Sequence, residues 1–428
     1  MAACPTIELP SGYAMPLVGL GTFDNLKDDM ICEAVKAALD SGYRMVDCAW
    51  IYRSESAVGA ALADRIKAGA VTRNELFIST KLWNTFHEPD RVEAGLRDSL
   101  NDLGLDYVDL LLMHWPMAFK EQTVERKAWI LNTQTEPADV DFLDTWRAME
   151  ELVNKGLARS IGISNFNIQQ LTRLLDAPGL RYKPANIQVE SHPFFLNKEL
   201  IDFCQGRGIT VTAYSPLGKG GSTYAGKPTE NILEHPTITS IAKAQAHSPA
   251  QVVLRWALQR GLSIVPKSCT PVRIRENIQL FDFSLTEDEM AAISLLDKHK
   301  RLVTLENCLF TTTVLGCRCP PILWESRDGR GRLYRLLPAA APCVAPATTT
   351  TTSSSSTTTA AAAQTLPEVG VEQTVQDGVD EDRDKREQQA QGVDEAKLLG
   401  RPEDGVVEVG EDIDDGDGQP LQGEGEER

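Results

Sequence analysis

Ser41-Gly42-Tyr43-Arg44-Met45-Val46-Asp47-Cys48-Ala49-Trp50-Ile51-Tyr52 opens on a glycine that can end a helix and crosses a short apolar run. It then delivers a carboxylate and, five residues later, a phenol. Putting both polar groups at the end of a buried strand costs hydration, so the placement needs a reason. Taken alone, the segment fits an Asp capping the next helix and a Tyr packed with its hydroxyl satisfied. Two later apolar strands end in the same way, in Lys81 and in His114, and that repetition points to a site.

Working outward from Met45-Val46, the chain alternates apolar runs with helical patterns. A hairpin is expected from Thr6 to Glu8, across Ser11-Gly12, to Ala14. Leu17–Leu20 is the first buried strand, Met45-Val46 the second, Leu76–Thr80 the third and Tyr107–Met113 the fourth. Ser160–Ile163, Ile187–Val189, Ile209–Ala213 and Leu262–Val265 complete eight. Helices are read between them from residues of one face: Ile31, Ala34, Val35, Ala38 and Leu39; Val92, Leu96 and Leu100 after Pro89; Phe142, Trp146, Met149 and Val153; Ile168, Leu171, Leu174 and Leu175; Leu200 and Phe203. Ser248-Pro249 reads as an N-cap with Pro at the first helical position, before Val252, Val253, Trp256 and Ala257. Thr286-Glu287-Asp288-Glu289 fits a capping box.

Eight strands alternating with helices form the pattern of a (β/α)8 barrel, a TIM barrel of the α/β class. An open sheet binding a dinucleotide would want G-x-G-x-x-G after its first strand. Gly19-Leu20-Gly21-Thr22-Phe23-Asp24 lacks the last glycine, so that fingerprint fails. Long connections at roughly 115–140 and 215–235 are expected to serve function. Within the second, Gly221, Gly226 and Lys227 approach a P-loop spacing. Pro228 stands where the magnesium-binding hydroxyl belongs, so a loop closing over a pyrophosphate is the better reading.

Composition divides the 428 residues. The formal charge is −18, but residues 364–428 hold 21 acidic against 6 basic side chains, leaving the rest close to neutral. The body therefore shows no charge pattern for nucleic acid or membrane, and no apolar run is long enough for a span. Three segments follow: a barrel over 1–310, a divergent stretch over 311–337, and a low-complexity, acidic tail over 338–428 expected to be disordered. Such a tail could serve as an arm for a basic partner. Prolines interrupt the first twenty residues, so no secretory signal is expected. Cys4, Cys32, Cys48, Cys204 and Cys269 show no metal-like pairing, and Cys317-x-Cys319 has no second ligand pair. A reducing cytosol and no metal are the expectation. The six histidines form no H-E-x-x-H grouping, which argues against a zinc alcohol dehydrogenase.

In a barrel, catalysis sits at the C-terminal ends of the strands, where Asp47, Tyr52, Lys81 and His114 fall. A phenol acts as a general acid if an ammonium draws its pKa down from about 10. Lys81 supplies that ammonium, and Asp47 keeps it charged and placed. A neutral His114 would orient a carbonyl by hydrogen bonding. Together these groups suit protonation of a carbonyl oxygen while hydride arrives from elsewhere. Lys267, Ser268 and Arg273 offer two cations and a hydroxyl, suited to a 2′-phosphate and so to NADP over NAD.

With those residues in view, the chain resembles the aldo-keto reductases over roughly 5–308. The resemblance is carried by Gly19-Leu20-Gly21-Thr22, Asp47-Cys48-Ala49 with Tyr52, Ser79-Thr80-Lys81-Leu82-Trp83 and His114-Trp115-Pro116. It implies Tyr52 as proton donor, Lys81 and Asp47 as its tuning pair, His114 as substrate orienter, and NADPH as cofactor. It also implies that Ser164, Asn165 and Gln188 hold the nicotinamide carboxamide and that Tyr214 stacks on the ring, with Ser215 and Leu217 following. Lys267, Ser268, Arg273, Glu276 and Asn277 would meet the adenosine end, and Gly21 and Thr22 line the cofactor as well. Phe23, Trp50, Trp83 and Trp115 are the candidate walls for a hydrophobic aldehyde or ketone. Phe23 stands where the family commonly has Trp, and beyond Cys308 the chain departs from the family. The expected protein is a monomeric, cytosolic NADPH-dependent carbonyl reductase. The rival is a non-catalytic NADP(H)-binding barrel, which would be expected to lose one of the four catalytic groups; none is lost here.

Overall fold

The computed structural model describes residues 4–23, 28–121, 136–218 and 230–303, and the backbone alone of four two-residue strands beyond or between them. The chain divides into two units, Met1–Cys343 and Val344–Arg428. Everything described belongs to the first. The acidic tail, most of the divergent stretch and Gly221 and Gly226 lie outside the described residues.

The expected hairpin is present as β1 (Thr6–Glu8) and β2 (Ala14–Pro16), turned where Gly12 takes a φ of 84°. The barrel begins with β3 (Gly19–Gly21), α1 (Asp28–Asp40), β4 (Met45–Asp47), α2 (Glu55–Lys67), β5 (Phe77–Leu82), α3 (Val92–Leu103) and β6 (Val108–Met113). A short ribbon, β7 (Ala118–Phe119) with β8 (Pro137–Ala138), precedes α4 (Phe142–Asn154). There follow β9 (Ala158–Ser164), α5 (Ile168–Leu175), β10 (Asn186–Glu190), α6 (Lys198–Gln205) and β11 (Thr210–Tyr214). After the ribbon β12 (Thr223–Tyr224) and β13 (Lys227–Pro228) come α7 (Pro236–Gln245), α8 (Pro249–Gln259), β14 (Ser263–Ile264), α9 (Pro271–Ile278) and α10 (Glu287–Ser294).

Eight parallel strands run in the order β3-β4-β5-β6-β9-β10-β11-β14. The ring then closes: Val18 bridges Ile264 and Gly21 bridges Lys267, both in parallel. The Ile264 N–H donates to the Leu17 carbonyl at 2.9 Å and the Gly21 N–H to that of Pro266 at 3.1 Å. Closure leaves no sheet edge, and the pleat sends every second side chain inward. In β5, Phe77, Ser79 and Lys81 share the inner face while Ile78 packs outward against the helices.

The interior is layered by this alternation. Leu9 and Met15 of the hairpin plug the lower end against Met45, Phe77, Leu110, Leu112 and Val265. Above lies a polar layer in which the Asn186 amide donates to Thr210 and Thr212, and Thr212 meets Ser263 at 2.6 Å. Such groups are tolerated inside because each finds a partner. The charged groups sit at the upper end. Gly162 shows how tight the wall is: a Cβ there would lie 2.4 Å from the Asn186 carbonyl oxygen. Gly162→Ala is expected to destabilise the barrel by about 1–3 kcal/mol, read as a lower midpoint in urea with an unchanged slope.

Both capping predictions hold, with reciprocal boxes at Ser248/Gln251 and Thr286/Glu289. Two readings need correction. Pro89 does not begin α3; it lies in a turn closed by the Arg91 N–H on the Glu88 carbonyl, and the helix starts at Val92. Three helices, α2, α7 and α9, had not been read from the sequence. The buried face of α2 is made of Ala57, Val58, Gly59, Ala61 and Leu62, small side chains that carry little periodic signal. Small size is what the packing needs there, since a Cβ on Gly59 would come within 2.6 Å of the Leu103 carbonyl.

Candidate active site

β4 and β5 are neighbours in register, Asp47 opposite Ser79, so their inward side chains meet at the upper end of the barrel. Lys81 is 1% exposed and its Nζ lies 2.6 Å from Asp47 Oδ2. The ammonium also donates to the Cys48 carbonyl at 2.8 Å. The second carboxylate oxygen accepts from Ser79 Oγ and from Gln188 Nε2, each at 2.8 Å. Asp47 is thus no helix cap. A carboxylate and an ammonium survive this far from water only because each is hydrogen bonded on all sides. Burial works against the charge of Lys81, but Asp47 and Tyr52 together outweigh it and the ammonium is held above its ordinary value.

Asp47 ends β4, and the turn of 3₁₀ helix at Trp50–Tyr52 brings the phenol back over the pair. Lys81 Nζ lies 4.8 Å from the Tyr52 ring centroid, so the ammonium stands close beneath the phenol. Here the sequence expectation needs correction. Burial pushes the Tyr52 phenol up, and Lys81 pulls it down only in part because Asp47 beneath it pushes the other way, so the pKa stands above the ordinary value. The group is consequently a firm holder of its proton, with an ammonium in place to receive the phenolate once the proton leaves. His114 faces the Tyr52 ring edge-on at 5.7 Å. Burial, with Lys81 adding to it, holds this imidazole well below its usual range, so it is neutral, as expected.

The aromatic candidates separate on inspection. Phe23, half exposed, packs on Tyr52 at 5.0 Å, and Trp83 packs on His114 at 5.4 Å. Phe119, which had not been singled out, extends the row with its ring 6.1 Å from Trp83. It comes from β7, inside a connection whose length alone marked it. Trp50 turns to Phe86 at 5.0 Å, and Trp115 is buried beside His114 in the chain; neither ring is seen against Tyr52. Ser79 was quoted only as part of a motif, and its hydroxyl proves to be one of the three donors on Asp47.

The proposed nicotinamide contacts gather at the ends of β9, β10 and β11. Ser164 Oγ donates to the Gln188 carbonyl at 2.8 Å, and Asn165 Nδ2 donates to the His114 carbonyl at 3.0 Å. Tyr214 OH donates to Asn165 Oδ1 at 2.8 Å, tying the aromatic to the same cluster. Asn165 and Ser215 both take left-handed backbone, φ 63° and 48°, and Leu217 follows half buried. Asn165 can adopt that conformation because its amide bonds locally. On the other side, a cleft is lined by Gly21, Thr22, Lys267, Ser268 and Cys269 below α1. A Cβ on Gly21 would come within 2.7 Å of the Val265 carbonyl. Thr22 is fixed by donating to the Asp47 carbonyl at 2.9 Å. Lys267 and Arg273 are exposed, Ser268 and Asn277 buried, and Glu276 half buried at the start and along α9. No group of three or more metal-ligating side chains is found among the described residues.

A closed barrel that sets a buried lysine–aspartate pair under a proton-holding phenol, facing a neutral imidazole, defines an oxidoreductase working on a carbonyl group. The comparisons agree. Residues 17–298 match the model of the aldo/keto reductase family. Aldo-keto reductase family 1 member A1 from Gallus gallus is 45% identical over 307 residues, covering 71% of this chain and 91% of the relative. The Danio rerio member A1-A is 43% identical over 301 residues, covering 70% and 91%. Among solved structures, the Bombyx mori aldo-keto reductase in complex with NADP superposes with a TM-score of 0.66 at 39% identity, covering 72% of this chain and 97% of that one. The chain belongs to the aldo/keto reductase family.

Proposed function

We propose that this protein reduces aldehydes and some ketones to alcohols with NADPH, and that Tyr52, Lys81, Asp47 and His114 carry the chemistry. The observation that supports the assignment most is the buried Lys81–Asp47 pair lying directly under the Tyr52 ring with neutral His114 across from it. Bound NADPH supplies the hydride. Tyr52 donates the proton to the carbonyl oxygen, and Lys81 stabilises the phenolate that remains. His114 hydrogen bonds the same oxygen and fixes the face presented. The row Phe23, Tyr52, Trp83 and Phe119 excludes water and favours apolar aldehydes, with Trp50 and Trp115 behind it.

The residues present fit the dinucleotide. Ser164, Asn165 and Gln188 would hold its carboxamide, Tyr214 its ring, and Ser215 and Leu217 the loop beside it. Gly21 and Thr22 line the cleft, while Lys267, Ser268, Arg273, Glu276 and Asn277 suit the adenosine end. Lys267 and Arg273 together favour a 2′-phosphate. The enzyme works as a monomer in the cytosol; Cys4, Cys32, Cys48 and Cys204 are free thiols, in keeping with a reducing compartment. The acidic tail is an arm for a basic partner, and deleting residues 330–428 is expected to abolish a pull-down while leaving turnover intact.

The test is NADPH oxidation with para-nitrobenzaldehyde. A parent that binds NADPH yet turns over none of a panel of aldehydes would leave the non-catalytic reading in place. A pH profile adds a sharper check. Because Tyr52 must be protonated and its pKa is raised, reduction should persist through neutrality and fall only beyond about pH 10. Because His114 is held neutral, no acid limb is expected near about pH 6.5, and one found there would remove His114 from its role.

A further inference from the structure

Glu190 ends β10 on the inward face, two residues beyond Gln188, whose amide reaches Asp47 across the barrel, and it is fully buried. Two of its three partners come from a distant part of the chain. Oε1 accepts from the Leu302 N–H at 2.6 Å and from His192 Nε2 at 2.9 Å, and Oε2 accepts from the Val303 N–H at 2.8 Å. Burial alone would favour the neutral acid, but the His192 and Leu302 bonds reverse it and the carboxyl stays below its usual range. The approach to this clamp is also built. The N–H groups of Lys298 and Lys300 donate to the Phe194 carbonyl at 3.1 and 3.0 Å, and Arg301 lies over the Phe195 ring. Arg260 braces the receiving loop through Ser191 Oγ and the Leu196 carbonyl.

Glu190 is in register with Tyr214 on β11, and the loop Ser215–Gly218 leaves from there. Leu302 is buried close to that loop: a methyl built on Gly218 would sit 2.7 Å from Ile232 Cδ1 and 3.7 Å from Leu302 Cδ1, so the two side chains flank Gly218 together. We propose that Glu190 is a positioning residue for the cofactor loop, pinning Leu302 and Val303 so that Leu302 supports Ser215–Gly218 in its NADPH-binding shape. The proposal rests on the reading of that loop as part of the NADPH site. A carboxylate suits the task because it can accept from two adjacent backbone N–H groups and a histidine at once. Glutamine turns one of those acceptors into a donor facing a donor.

The experiment compares the full-length parent with Glu190→Gln, Leu302→Pro (which removes one N–H without touching the carboxylate) and the double variant. NADPH affinity is read by quenching of protein fluorescence, and exposure of Lys298, Lys300 and Arg301 by limited trypsin cleavage. Glu190→Gln should weaken NADPH binding about tenfold, the size of one buried hydrogen bond. It should also open the tryptic sites and leave kcat at saturating NADPH within about twofold. The double variant should be no weaker than the worse single one, since both act through one contact. Opened cleavage with unchanged NADPH affinity overturns the proposal. So does unchanged cleavage, or strictly additive losses. A parent that fails to bind NADPH removes the cofactor reading and this proposal together, whereas a binding parent with an indifferent Glu190→Gln removes only this one.

Discussion

Tyr52→Phe is expected to lower kcat by on the order of 10²–10⁴-fold. The ring contacts with Phe23 and His114 do not need the hydroxyl, so packing at the mouth should survive the change. Lys81 keeps Asp47 and the Cys48 carbonyl as partners and stays placed. What disappears is the one group in the row that holds a transferable proton at neutral pH. Steady-state turnover with a fixed aldehyde, alongside an NADPH titration, makes the check. Unchanged NADPH affinity with collapsed kcat assigns the loss to proton delivery. Retention of kcat within a few-fold would mean that another acid serves the carbonyl, and the assignment of Tyr52 would fall.

Asp47→Asn should act on stability as well as rate. It removes the counter-charge from an ammonium that has almost no contact with water. Breaking a buried pair by removing one partner costs about 3–5 kcal/mol, which for a barrel of this size lowers Tm by roughly 10 °C. The sign of the pH dependence is specific. In the parent, Lys81 is held above its ordinary value, so its contribution is present at neutral pH and is lost only as pH rises through that raised pKa. In Asp47→Asn, the largest opposition to burial is gone and only that of Tyr52 remains, so the lysine pKa is expected to fall below that of the unfolded chain. The unfolded state then binds more protons, and stability should rise as pH increases from neutrality toward about 10. Thermal melts across that range make the test. A variant whose Tm matches the parent at every pH would mean that the pair is not buried as described.

Much of this site was legible before any geometry. Short apolar runs put Asp47, Lys81 and His114 on strand ends, and the chemistry of each residue type suggested its role. What stayed hidden involves partners far apart in the chain. Ser79 and Gln188 on one carboxylate oxygen, or Leu302 and Val303 on Glu190, leave no local spacing to read. Phe119 was hidden because its strand has two residues inside a long connection. Helix α2 was missed because close packing demanded small side chains, and small side chains blur the amphipathic signal.

The amino-acid order by itself determined the alternation of strands and helices, the caps that start α8 and α10, and the residue types at the strand ends. These are local properties, set by side-chain pleat, backbone preference and the cost of burying polar atoms. Tertiary structure decided which of those ends meet and what their titration becomes. The phenol of Tyr52 moved opposite to the simple expectation because a pKa is fixed by everything around it. Desolvation and the negative charge of Asp47 together outweigh one ammonium, and only the closed barrel sets that balance.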